Sequence, residues 1–506
     1  MAAGAAFAQT TLLEVTVEAK KAAKKSTPPK KAADTGAVAA PKASVPQVAE
    51  TATSPVKGYV AERSATGTKT DTPLKETPAS ISVVGAEQMR DQGVQNIQEA
   101  VRYTPGVLAD GFGYDSRNDY SVIRGTPAAY YVNGLRRTYG YWAHTSMIEP
   151  YALERVEVLR GPASMLYGQT PAGGIMNAIS KLPQAVAYNE VSLEYGSYNH
   201  KALKVDSTGP LTTDGKWLYR ITGLTRNADT QVDFVENDRY MIQPSITYKP
   251  NLDTTVTLLV NLRKDDTGST QQFLPAQGTL TPVPGLGRVP RDTFVGNPGD
   301  YHRVEEQSVA LMLDHKFSSA LSIHHGMRYT HTDVAFDSTY PLILTRPRID
   351  TLNLLGFGLD PAASPFYVAN SGLLPRVRSI EQDSTNVLNS DTYLTANLQT
   401  GATKHKVTAG FDYMRYSTDR QALSMIDSTP FNIFNPTPGV PAFYFGLDPL
   451  GLVIDPSNIP PGRKSGQVQT QMGVYLQDQI KMGPWIALLG VRQDWLTIDP
   501  DNAASQ

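Results

Sequence analysis

The 506-residue chain contains no cysteine. That excludes a disulfide framework and a thiolate metal site, and it lets the protein persist in an oxidising compartment without mispairing. No apolar run reaches 18 residues, so no transmembrane helix is predicted. A β-barrel escapes that test, because each of its spans shows only about ten residues of weak alternation. Charge of one sign is not in excess: 46 basic against 48 acidic residues give a formal net charge of -2. The net basic domain that marks a nucleic-acid partner is therefore missing. HExxH, GxSxG and phosphate-loop motifs are absent as well, since Gly161, Gly168, Gly173 and Gly174 fit neither GxxxxGK[ST] nor GxGxxG. An enzyme is the most distant reading.

What is present is polar and loop-rich: 25 tyrosines against 14 phenylalanines, with 40 glycines and 36 prolines. The length predicts two or more domains, or one large all-β body. Residues 1–10 end in a small-x-small pattern at Ala6-Phe7-Ala8 and read as the back half of a signal peptide. Residues 18–57 are mainly Ala, Lys, Pro, Thr and Ser, which cannot bury enough surface to offset their ordering entropy. They read as a disordered linker whose lysines are solvating charges. Between the two lies TLLEVTV, residues 11–17, with Leu13, Val15 and Val17 on one side. Such a strand either joins the sheet edge of another protein or pairs with the chain's own sheet, and its residues leave both open.

Residues 58–184 change character to a compact α/β module. AEQMRDQG and NIQEAVRYTPG read as short helices, the second with Ile97 and Val101 on one face and ended by Pro105-Gly106. SISVV, YSVIRG, AYYVNG and RVEVLRG read as strands. The last of these raises a question, because Arg155, Glu157 and Arg160 flank an apolar strand that stops at Gly161-Pro162, where proline cannot donate to a sheet. Their charges need polar partners near a sheet edge or end.

From residue 185 to 506 the period becomes two. Val191, Leu193 and Tyr195 alternate with Ser192, Glu194 and Gly196, and the same holds around Val256–Leu262, Val309–Leu313 and Val407–Tyr413. One apolar face suits either a soluble antiparallel sheet or a lipid-facing wall. Connection lengths favour the wall. Short turns at 248–253, 316–321, 400–405 and 481–485 alternate with long irregular stretches at 264–305, 335–390 and 417–468. Soluble sheets rarely tolerate repeated loops beyond about 15 residues, whereas outer-membrane barrels combine short turns on one side with long loops on the other.

SATGTKTDTPLKETPASISVVGAEQM, EAVRYTPGV, VIRG, YVNGL, EPYALERVEVLRGPASMLYGQTPAGGIMNAISK and VSLEYGSYNHKALKVDSTGPL resemble, in order and spacing, the TonB-dependent siderophore receptors, most closely their hydroxamate branch. The resemblance implies a mainly β fold: an α/β plug domain inside a large antiparallel transmembrane β-barrel of about 22 strands. TLLEVTV is similar to the family's TonB box, which assigns Leu13, Glu14, Val15, Thr16 and Val17 to contact with TonB and its inner-membrane energising partners. The implied protein is a monomer in outer-membrane lipid of a Gram-negative bacterium. It captures a ferric siderophore at the outer apex of the plug, and TonB pulls the plug to release it inward. Iron stays ligated by the siderophore, so no cofactor and no protein metal ligand is implied. By the same resemblance Arg124, Glu154, Glu157 and Arg160 form a plug–barrel latch of releasable pairs, each worth about 0–1 kcal/mol if solvated.

Apex candidates are Phe112, Tyr114 and Arg117 in GFGYDSRND, and Arg137, Tyr139, Tyr141, Trp142 and His144 in RRTYGYWAH, since aromatics with a polar handle suit a half-wet surface. The branch's apex arginine falls near Phe112, and Arg117 is displaced from it by several residues. His324-His325 is not read as a metal pair, because adjacent strand residues face opposite sides. The wall is short for the family: about 320 residues allow roughly 12 to 14 strands, and the chain ends NAASQ rather than in a terminal aromatic. Residues 1–506 alone are not expected to insert as a working receptor, since unpaired sheet edges are costly in lipid. Rival readings are a receptor for cobalamin, haem or a carbohydrate, or one serving mainly as an adhesin or entry site.

Overall fold

A computed structural model describes residues 50–111, 113–137, 147–341, 373–436, 444–447, 453–454 and 463–501. The plug is built on five strands: β1 (Ser80–Gly85), β2 (Ala129–Val132), β3 (Leu135–Arg136), β4 (Leu153–Arg160) and β5 (Gly174–Ser180), in the order β1-β4-β5-β2-β3. β4 lies between two neighbours and pairs antiparallel with both, which is why all of it except Arg160 is buried. Two short helices, α1 (Ala86–Asp91) and α2 (Ile97–Val101), cover one sheet face. Asn96 caps α2 by accepting from Glu99 N at 2.9 Å, and Ile97 and Val101 pack with Val156, Val158 and Met176 in one apolar core.

At Gly173 the chain passes directly over the Ile123 carbonyl, and a Cβ there would collide with that oxygen. Gly174 adopts φ 139°, close over the Leu159 carbonyl, in a region that disfavours side chains. These two glycines let β5 turn back onto β4 beyond the proline stop.

Among the described residues eleven long strands form the wall: β6 (Tyr188–Tyr195), β7 (Lys201–Pro210), β8 (Trp217–Asn227), β9 (Asn237–Tyr248), β10 (Thr254–Thr267), β11 (Tyr301–Lys316), β12 (Leu321–Pro341), β13 (Leu373–Thr400), β14 (Thr403–Asn432), β15 (Arg463–Met482) and β16 (Trp485–Asp501). Each pairs antiparallel with the next, and among the described residues the sheet is open, with β6 and β16 at its edges. Alternation dictates two faces. Outward lie Val191, Leu193, Ile221, Ile242, Leu258, Leu262, Val309 and Met327, all exposed apolar side chains, while their neighbours point to the plug. Trp217 stacks on Tyr248 at 4.3 Å near the short turns, and Tyr240 marks the other end of the same strand as an exposed aromatic. Eight residues separate the two tyrosines, about 27 Å along the strand, which once tilted matches a lipid-facing band flanked by aromatics.

The stretches at 335–390 and 417–468, expected to be irregular, are largely strand at their near ends. β13 runs 28 residues and β14 runs 30. Beyond the band of outward apolar residues neither face is apolar, so the sequence there loses its alternation while backbone pairing continues. Cross-strand ion pairs such as Arg378–Asp337 at 2.6 Å and Arg420–Glu381 at 2.8 Å hold these extensions.

Candidate functional site

The chemistry lies along the seam between plug and wall. Glu154, at the start of β4, meets Arg220 of β8 at 3.2 Å. The same guanidinium grips Asp206 of β7 through two bonds of 2.8 Å, and Lys181 reaches Asp206 at 2.8 Å while sitting 4.0 Å above the Tyr151 ring. All four charged groups are buried. Removing one member of such a set strands the others, at a cost of about 3–5 kcal/mol.

Arg155 and Glu157 turn to a different partner. Residues 50–77, the first described part of the chain, run between the plug sheet and the wall. Arg155 is 0% exposed and donates to the carbonyls of Arg63 (3.0 Å), Ser54 (2.7 Å) and Thr51. Glu157 accepts from Ser64 Oγ at 2.6 Å and from Thr66 Oγ1, and Arg155 lies 3.7 Å away. Burial pushes the Glu157 carboxyl up in spite of these contacts. The other side of the segment is fixed to the wall: Lys69 to Asp391 at 2.7 Å, with Tyr475 OH also donating to Asp391 at 2.8 Å, and Glu76 to Lys481 at 2.5 Å. Glu157 therefore does not face the wall as the latch assignment implied, because residues 63–68 lie over it.

Arg160 donates to Ser80 Oγ (3.0 Å), Ser82 Oγ (2.8 Å) and the Pro105 carbonyl (3.2 Å), all within the plug. Burial and the neighbouring Arg124 both lower its pKa. Among the described residues neither Arg160 nor Arg124 meets a wall carboxylate. Of the four residues assigned to the latch, Glu154 is the one placed against a wall charge.

The apex candidates divide in the same way. Tyr114 accepts from Asn237 Nδ2 of β9 at 2.8 Å, and burial pushes its hydroxyl up to about 12. Ser116 N donates to Thr270 Oγ1 at 3.1 Å and Ser116 Oγ to the Gly268 carbonyl at 2.5 Å. Arg117, 5% exposed, forms a two-pronged bond with Asp115 at 2.9 and 3.0 Å and lies against Phe336 of the wall. Tyr114 and Arg117 thus fasten the plug to the wall and are not displayed on an outer surface, a placement set by Asn237 and Phe336 of the wall, both more than a hundred positions away. Arg137 turns to Glu306 of the wall at 2.7 Å, while Phe112, Tyr139, Tyr141, Trp142 and His144 lie outside the described residues, as do Leu13, Glu14, Val15, Thr16 and Val17. The two adjacent histidines have separate partners: His324 with Asp314 at 2.7 Å and His325 with Thr392 at 2.8 Å.

One group of wall residues went unnoticed in the sequence. On the inner face of β9, β10 and β11, Arg239 stands opposite Asp265, and Arg263 opposite Glu306. Three of the four reach the plug: Arg239 to Glu149 at 2.8 Å, Arg263 to the Met147 carbonyl, and Glu306 to Arg137 at 2.7 and 3.1 Å. Nearby, Asp119 is buried, accepts from Ile148 N at 2.6 Å, and is pushed up to about 6 by its burial. The signal was available, since Arg263 and Asp265 occupy inward positions of a strand whose outward positions are Leu258, Val260 and Leu262.

Residues 73–175 match the TonB-dependent receptor plug domain, and residues 242–506 match the TonB-dependent receptor-like β-barrel. The chain belongs to the TonB-dependent receptors. It is 33% identical over 457 residues to the ferrichrome outer membrane transporter/phage receptor of Escherichia coli strain K12, covering 89% of this chain and 59% of that protein. It is 31% identical over 438 residues to the ferrioxamine B receptor of Salmonella typhimurium strain SL1344, covering 85% and 57%. The receptor thus spans somewhat over half the length of these curated relatives. Among solved structures, the closed form of the ferric-catecholate import receptor Fiu of E. coli K12 superposes with a TM-score of 0.71 at 19% identity, over 87% of this chain and 59% of that one. That likeness shows the plug-and-wall fold.

Proposed function

We propose that this receptor captures ferric siderophores of the hydroxamate type at the outer membrane of a Gram-negative bacterium and imports them when TonB pulls its N-terminus. The carrying observation is the identity of 30–33% to ferrichrome and ferrioxamine receptors, joined to a plug fastened inside a lipid-facing wall. The route by which force enters is supported by position. Residues 50–77 follow in the chain the segment that carries TLLEVTV, and they lie between the plug sheet and the wall. Pulling on residues 11–17 reaches this segment first. Iron travels inside its chelate and needs no protein ligand. Phe112, Tyr139, Tyr141 and Trp142 are the residues assigned to the chelate, by stacking and by hydrogen bonds to its polar face. The receptor catalyses no covalent step.

The test is equilibrium binding of iron-loaded ferrichrome and ferrioxamine B to the receptor in outer membranes, with haem and cobalamin as competitors. Saturable hydroxamate binding that neither competitor displaces supports the reading. Displacement by haem or cobalamin, without hydroxamate binding, reassigns the ligand within the same family.

A further inference from the structure

Cross-strand charge pairs on a barrel wall ordinarily serve the wall, and the outward neighbours of the inner charges show that case. Lys264 and Glu305 meet at 2.7 Å, both more than half exposed, one position along from Arg263 and Glu306 on the same two strands. The inner pair behaves differently. Glu306 and Arg263 are register partners, yet their closest approach is 3.5 Å, while Glu306 offers both oxygens to plug residue Arg137 at 2.7 and 3.1 Å. Arg263 likewise turns a guanidinium N–H to the plug carbonyl of Met147. Wall partners that lean away from each other toward the plug are placed for the plug.

The two plug residues so held are ten positions apart in sequence and bound the nine-residue stretch 138–146 on either side. Glu306 holds the first directly and, through Arg263, the second. Two buried cations (Arg239, Arg263) and the half-buried Arg137 balance three buried carboxylates (Glu149, Asp265, Glu306). Arg137 and Arg263 share one of the Glu306 oxygens. Replacing this carboxylate by an amide therefore removes the charge common to two guanidiniums and turns an N–H₂ toward one of them. We propose that Glu306 is a positioning residue for the outer end of the plug, one wall carboxylate that fixes Arg137 and Met147 relative to each other and so sets the affinity for the siderophore. The inference rests on the functional reading above only for its last clause.

The absence of cysteine makes the test direct. Met147 is 3% exposed, so a Met147→Cys thiol is shielded from a water-soluble maleimide in the otherwise unaltered receptor. Adding Glu306→Gln is expected to raise the labelling rate about tenfold or more, the effect of losing a charge-assisted bond at a buried site. Glu305→Gln, on the outward face, leaves the rate unchanged. Affinity for iron-loaded ferrichrome falls by a similar factor in Glu306→Gln and in Arg137→Lys. The lysine keeps the charge but cannot engage both oxygens, and it serves in place of Glu306→Gln if that variant does not accumulate. Labelling at the unaltered rate in both variants overturns the proposal, as does faster labelling with undiminished ferrichrome affinity. If the unaltered receptor binds no ferric hydroxamate, the functional reading fails, while the labelling rates still decide whether Glu306 positions the plug.

Discussion

Arg155 offers a graded way to loosen one segment of the plug. Its guanidinium is fully buried and holds three carbonyls, those of Thr51, Ser54 and Arg63, on the stretch that leads out of the plug. Arg155→Lys keeps the charge and most of the apolar stem, but a single ammonium cannot reach all three oxygens. Two charge-assisted bonds are lost, at about 1.5 kcal/mol each or about 3 kcal/mol together. At about 1.4 kcal/mol per factor of ten, local opening of residues 51–66 becomes roughly 150 times more populated. Native-state hydrogen exchange reads this directly. The reporting amides are Ala52 N, bonded to Asp71 Oδ1 at 3.0 Å, and Thr66 N, bonded to Ser64 Oγ at 3.1 Å. Their protection is expected to fall by about two orders of magnitude, while amides of Val156 and Val158 in the central strand keep theirs. Unchanged protection at Ala52 and Thr66 would refute the argument that Arg155 holds the segment.

Asp119 makes a pH-dependent contribution whose sign follows from its raised pKa, about 6 against an ordinary 3.8, caused by burial. The folded plug binds the proton more tightly than the unfolded chain, so this group's contribution is most favourable below about pH 4 and is lost as pH rises through about 6. Asp119→Asn, whose amide oxygen still accepts from Ile148 N, is expected to flatten the fall in melting temperature between pH 4.5 and pH 7 (a window set by the two pKa values); an unaltered slope contradicts the assignment. Leu258→Arg puts a charge on the outward face beside Ile246 and Leu311. It should cost about 2–4 kcal/mol if that face meets mid-bilayer lipid, read as loss of membrane-inserted receptor, and normal insertion would mean that the face is not in lipid. Gly173→Ala forces a methyl into the Ile123 carbonyl and should destabilise the plug by roughly 1–3 kcal/mol; a melting temperature within a degree of the parent's would show that the β4–β5 return is looser than drawn here.

The fold was legible where chemistry is local. Asn96 and the paired Ile97 and Val101 mark their helix within one turn, and period-two alternation marks each wall strand where its outward face is apolar. Legibility ended where that face ended: β13 continues past the apolar band as Arg376, Arg378, Glu381 and Asp383, with no apolar side to announce a strand. Side-chain roles failed for another reason. Glu157 carried the charge that suggested a seam residue, but its cover, Ser64 and Thr66, lies about 90 positions upstream. Tyr114 and Arg117 have the composition of a ligand loop, and only the arrival of Asn237, Gly268 and Thr270 turns that loop into a fastening. Inward charges at Arg239, Arg263 and Glu306 follow the strand period and could have been found by asking which polar residues share the inner face.

Uptake of iron-loaded ferrichrome by cells producing the receptor, measured with and without TonB and with residues 11–17 deleted, decides whether the plug admits a ferric hydroxamate only when its N-terminal segment is pulled. Surface binding is expected in all three cases and uptake in the first alone. Equal uptake without TonB, or with residues 11–17 deleted, would show that import does not depend on that pull.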